Sequence, residues 1–166
     1  MLHHRRLRVA LALLGLAAVA SAASTASASA EDVLSQAKAE ALDEAFNTHQ
    51  PKAVGALCTE TADYTFLQGS SLETLQFGLI SGRNQIVETI ESFFQLFPSA
   101  KVTHAVRRAR LVTPDVMVSD EDMEITGLTA DAGPIRGQVV VVRVRADATW
   151  KIAAVRYISK VPPQKP

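Results

Sequence analysis

The amino-acid sequence predicts an α+β domain in which helices come first and an antiparallel sheet follows. Apolar residues recur at three- and four-residue steps from Val33 to Phe46 and again from Gly82 to Phe97, the repeat of a helix with one buried face. After Pro98 the repeat shortens to two and stays so to the end, through four runs whose connections are too short for parallel crossovers. Helices followed by strands place the helices over one face of a curved sheet. The size agrees, since 166 residues, 48% of them apolar, suffice for one domain with a single core.

Composition removes several classes of function. Lys and Arg number 17 against 17 Asp and Glu, so no basic excess argues for nucleic acid as a partner. Cys58 is the single cysteine, which excludes an intrachain disulfide and leaves a thiolate metal site without support. Its setting, Val54-Gly55-Ala56-Leu57-Cys58, is that of a buried, unreactive thiol.

Residues 1–30 read as an export signal. Arg5, Arg6 and Arg8 precede an apolar run from Val9 to Ala20, and a tract of Ala, Ser and Thr follows it. That run is shorter than the roughly 20 residues a permanent anchor needs. Cleavage can follow Ala20-Ser21-Ala22 or Ala28-Ser29-Ala30, and the second is preferred because Glu31 and Asp32 open ordinary composition. Arg5-Arg6 lacks the flanks of a strong twin-arginine signal. The expected mature domain, 31–166, keeps 14 basic and 17 acidic residues and lies in the periplasm or outside the cell.

The elements of that domain follow in order. A first helix runs from Val33 to Phe46, and Gln50-Pro51 ends it and opens a short second helix to Cys58. Ala62 to Leu67 alternates as a strand that stops at Gln68-Gly69-Ser70-Ser71. Ile86, Val87, Ile90, Phe93, Phe94 and Phe97 form one face of the third helix. Strands are expected at Lys101 to Val112, Val116 to Ile125, Ile135 to Arg145 and Trp150 to Ser159. Val139 to Val142 shows no polar alternation, so both faces of its strand should be covered, one of them by a second subunit.

This order, with four local motifs, resembles the NTF2-like superfamily and within it the SnoaL-like group. Asn47 to Leu57 is similar to that family's break between its first two helices, and Ser81-Gly82-Arg83-Asn84-Gln85-Ile86 to its Gly-Arg-x-x-Ile opening of the third helix. Leu111 to Val118 and Trp150 to Ala154 resemble its hairpin and final strand. The resemblance covers about residues 33 to 160. It implies a cone of three N-terminal helices on a curved antiparallel sheet, a cavity between them, and a homodimer. It leaves the chemistry open, because cyclases, isomerases, dehydratases, epoxide hydrolases and non-catalytic proteins share this fold. The family's carboxylate base falls near Phe66 and its acid near Val141, neither of which transfers a proton. An Asp, Arg, Asp set of the epoxide hydrolase kind is not recognisable.

Three residues remain as candidates for a site. His104, the only histidine on an expected strand, shares an apolar face with Val102 and Val106 and has a proton affinity suited to neutral pH. Tyr64 is in phase with Ala62 and Phe66, which makes it, rather than Asp63, the neighbour that enters a cavity. Glu121 is in phase with Met123 and Ile125 and so is expected to enter the pocket, where desolvation would favour its protonated form. The acidic run Asp120 to Glu124 is better read as cross-strand pairs with Arg107, Arg108, Arg110, Arg143 and Arg145 than as a metal site. Arg83 is read as an exposed residue or an anion clamp at the pocket mouth. The resulting expectation is an exported domain that binds a small, largely apolar molecule through Tyr64, His104 and Glu121, without cofactor, metal, nucleic acid or permanent membrane anchor. The alternatives are a cyclase or isomerase using His104 and Glu121 in acid-base roles, and a structural or partner-binding dimeric domain.

Overall fold

The computed structural model describes residues 33, 39–69, 75–128 and 133–160. The expected signal segment, its cleavage sites and residues 34–38 of the first helix lie outside these. The elements are α1 (Glu40–Asn47), α2 (Pro51–Ala56), β1 (Cys58–Gly69), β2 (Gln76–Ser81), α3 (Arg83–Leu96), β3 (Lys101–Thr113), β4 (Val116–Thr126), β5 (Ile135–Ala146) and β6 (Thr149–Lys160). The strands form one six-stranded sheet in the order β2-β1-β6-β5-β4-β3.

The α+β class and the antiparallel succession of β3 to β6 agree with the sequence pattern. Two details differ. The three helices that the resemblance placed N-terminally are divided, since α3 follows the β1–β2 hairpin, and β1 pairs with β6 in parallel, so the sheet is mixed. Strand β2 escapes the sequence reading because it is an edge strand with Phe77 and Leu79 on its exposed face, which blurs its alternation. Register shifts in β3, and at Ala153 of β6 opposite Val142 and Arg143, bend the sheet around the helices.

Polar side chains lock the helices to the sheet. Asn47, at the end of α1, accepts from the Val102 N–H at 2.7 Å and donates to the Val102 carbonyl at 2.8 Å, pairing like an added strand. His49 takes a left-handed conformation (φ 55°), and its ring stacks on Phe94 with 4.3 Å between centroids. Gly55 lets α2 approach α3 closely, because a Cβ there would stand 2.4 Å from a Val87 methyl.

Two apolar clusters fill the concave face. The larger gathers Cys58, Ala62, Ile86, Val102, Met123, Val139, Val141, Ile152 and Tyr157. The smaller seats Val33 on Met117, surrounded by Val106, Ala109, Leu111 and Trp150. Among the described residues no helix is long and apolar enough to cross a membrane.

Candidate functional site

Between the larger cluster and the helices lies a cavity of about 310 Å³. Its walls come from α1 (Leu42, Phe46), β1 (Tyr64, Phe66), α3 (Ile90, Phe93) and the inner faces of β3 to β6. Almost all of that surface is apolar. Asp63 contributes to the lining, but its carboxylate is gripped by both terminal nitrogens of Arg156. No Lys or Arg side chain is among the described lining residues, so the space suits an uncharged molecule.

Tyr64 and His104 both line this cavity. His104 is held by a residue that sequence reading missed. Asp43 of α1 accepts from the His104 backbone N–H through Oδ2 at 2.9 Å and meets the ring Nδ1 through Oδ1 at 2.5 Å. The imidazole side chain is only 7% exposed. A carboxylate at Nδ1 places the ring proton on that nitrogen, which leaves Nε2 as the acceptor available to the cavity. A trace of this existed in the sequence: Asp43 and Asn47 stand four residues apart on α1, beside the apolar pair Leu42 and Phe46, and both bond to β3.

Tyr157 was also missed, although it is in phase with Val155 and Ser159 on β6. It lines the cavity, and its buried hydroxyl has no well-aligned hydrogen-bond partner among the described residues. Burial raises its pKa, an effect that the nearby Ser159 hydroxyl opposes without forming an aligned bond. The Tyr64 hydroxyl is pushed up far more strongly, first by burial and then by the neighbouring Tyr157. Both hydroxyls therefore remain neutral donors at physiological pH.

Glu121 has a different setting from these residues. It lies on the concave face, as its phase indicates, but is absent from the cavity wall. Its side chain is fully buried and bonded through Oε1 to Arg143 Nη1 at 2.9 Å and to the Ser119 hydroxyl at 2.5 Å. Arg143, expected on an outer charged surface, instead points inward and also donates to Ser119 at 2.6 Å. Arg143 is in phase with Val139 and Val141, so the unbroken alternation of β5 turns it inward.

The remaining candidates have structural settings. Arg83 donates through Nε and Nη2 to the Cys58 carbonyl at 3.2 and 2.8 Å, closing the junction between α2 and β1 rather than a pocket mouth. Cys58 lines the cavity, and burial pushes its thiol up, away from the reactive thiolate. Phe66 and Val141 are cavity walls. The acidic run pairs on the outer face, Asp122 with Arg107 at 3.1 Å and Glu124 with Arg136 at 2.6 Å. Among the described residues no cluster of three His, Cys, Asp or Glu stands ready to hold a metal ion.

Solved structures identify the class of fold. A cystatin-like-fold domain of unknown function from Nostoc punctiforme superposes with a TM-score of 0.64 at 16% identity, covering 83% of this chain and 82% of that one. A ketosteroid isomerase-like protein from Erwinia carotovora atroseptica gives 0.57 at 18% identity, covering 78% and 95%. A protein provisionally assigned as scytalone dehydratase from Novosphingobium aromaticivorans gives 0.55 at 13%, covering 72% and 76%. The fold is the NTF2-like, or cystatin-like, one. No family model and no curated protein matches the sequence.

Proposed function

We propose that the chain binds a small, uncharged, largely apolar carbonyl compound in its cavity, and that His104 moves a proton on it as in SnoaL-like isomerases, cyclases and dehydratases. The observation that carries this reading is the Asp43–His104 hydrogen bond at the wall of an apolar cavity. In such a reaction Nε2 takes a proton from the carbon beside the carbonyl, and the C–H electron pair moves into an enolate. The negative charge collects on oxygen, where a neutral tyrosine hydroxyl, Tyr64 or Tyr157, donates a hydrogen bond. Imidazolium then returns the proton to another carbon, or to a departing hydroxyl that leaves as water. The isomerase-like and dehydratase-like names among structural neighbours support the reaction class by analogy of fold alone.

The reading includes export through residues 1–30, supported by the three-part sequence pattern. It also includes a homodimer formed by the outer sheet face, supported by Phe77, Leu79 and Ile158, which are 69%, 56% and 55% exposed there.

The test is catalysed hydrogen–deuterium exchange at the acidic carbons of 2-tetralone, followed by NMR in D₂O. The wild-type protein is expected to exceed the rate of free imidazole at equal concentration, and His104→Gln to lower it on the order of 10²-fold or more. Exchange no faster than imidazole would remove the catalytic reading. Absence of any bound small molecule by native mass spectrometry as well would leave the structural reading.

A further inference from the structure

The Ser119–Glu121–Arg143 cluster is not explained by stability. A buried ion pair confers little over apolar residues of the same volume, because desolvation cancels most of the attraction. Here the pair is nearly sealed, with side-chain exposures of 0% for Glu121 and 6% for Arg143. Both bonds to the carboxylate fall on Oε1, and Oε2 is buried with no hydrogen-bond partner among the described residues. An idle oxygen on a buried carboxylate marks a place where a donor belongs.

Position says which donor. Glu121 pairs across the sheet with Val139, and Ser119 with Val141, and both valines are cavity walls. The next inward residue along β4 is Met123, another wall residue, which pairs with His104 on β3. Met123 is thus the wall residue that follows Glu121 on the inner face of β4, beside His104. Methionine is the side chain best able to change rotamer in a core. Two residues of strand set Glu121 roughly 7 Å beyond the level of His104.

We infer that Glu121 Oε2 is an inner acceptor of the cavity, reached when Met123 swings aside, which binds a hydroxyl on the ligand roughly 7 Å from its reacting carbonyl. The inference rests on the proposed proton-transfer reading and names its substrate class: an apolar ring compound with a ketone at one end and a hydroxyl at the other. Arg143 and Ser119 hold the carboxylate in place from the opposite side.

The test compares 6-hydroxy-2-tetralone with 6-methoxy-2-tetralone, which share a skeleton but differ in that only the first donates a hydrogen bond. Dissociation constants and exchange rates are measured for the wild type, Glu121→Gln and Met123→Phe. In the wild type the hydroxyl compound is expected to bind about tenfold more tightly, the usual effect of a hydrogen bond to a charged acceptor. In Glu121→Gln the ratio is expected to fall to about one, since the amide presents a donor where the carboxylate presents an acceptor. Met123→Phe leaves the ion-pair cluster intact and blocks the path, so the same loss is expected there, and it decides the matter should Glu121→Gln not fold. Equal binding of the two compounds by the wild type overturns the inference, as does a preference that survives in both variants. Binding with the hydroxyl preference but without exchange would uphold the inner acceptor and defeat the catalytic reading. If neither compound binds, both fall.

Discussion

Asp43 and His104, 61 residues apart in sequence, meet with 2.5 Å between carboxylate oxygen and ring Nδ1. The same carboxylate also caps the His104 backbone N–H, so one residue sets both the position of the strand and the tautomer of the ring. Replacing Asp43 by Ala leaves two partly buried donors without an acceptor, and a loss of about 1–3 kcal/mol in stability is expected from urea unfolding. The ring should also lose its Nδ1–H preference, visible in its ¹⁵N shifts. An unchanged tautomer in Asp43→Ala would contradict the assignment of Nε2 as the cavity-facing base.

The Glu121–Arg143 pair should show strong coupling between its partners. Glu121→Leu alone strands a buried guanidinium, and a loss of about 3–5 kcal/mol is expected from equilibrium unfolding. Adding Arg143→Met should recover part of it, because only the buried Ser119 hydroxyl is then left without these partners. Losses that simply add in the double variant would show that the two side chains do not act as a unit.

The tyrosines give a pH signature. The chain has two, Tyr64 and Tyr157, and burial raises the pKa of both. Between the ordinary tyrosine value of about 10 and the raised native values, the unfolded chain releases protons that the native state retains. Their effect on stability is therefore absent below about pH 10, and stability declines as pH rises above it. Ultraviolet titration should show little tyrosinate at pH 10.5 in the native protein and the normal amount in urea. Full native ionisation near pH 10 would mean that neither hydroxyl is buried as the structure places it.

Gly127 ends β4 with φ 72°, and a Cβ there would stand 2.0 Å from the Ser99 carbonyl oxygen. Backbone cannot yield as a side chain can, so Gly127→Ala should cost about 2 kcal/mol or more in thermal or urea unfolding. Gly133→Ala serves as control, since open space surrounds its Cβ position, and a change within about 0.5 kcal/mol is expected. Equal effects at the two sites would count against this turn geometry.

Sedimentation velocity tests the proposed dimer. Leu79 and Ile158 lie on the outer sheet face with half-buried Val140 and Val142. The wild type is expected to sediment as a dimer and the Leu79→Asp, Ile158→Asp double variant as a monomer. A monomeric wild type at micromolar concentration would end the proposal.

How much of this was legible beforehand depended on the range of the interaction. The periods of α3 and of β3 to β6 are properties of neighbouring residues, so the amphipathic face of Ile86, Ile90, Phe93 and Phe94 and the alternation of each late strand announced their elements within a residue or two. Strand phase also assigned Tyr64, His104 and Glu121 to the concave face, because side chains on a strand alternate without exception while its pairing is regular. Other outcomes belonged to contacts between distant segments. The parallel β1–β6 pairing, the closing of Glu121 on Arg143 between β4 and β5, and the meeting of Asp43 with His104 all depend on where separate elements dock. The sequence by itself determined the class of fold and which face each strand residue occupies, since local sterics and hydrophobic periodicity decide those. Only the tertiary structure decided that His104 borders the cavity with Asp43 behind it while Glu121 is held by Arg143 and Ser119, because cross-element register is set by packing energies summed over the whole core.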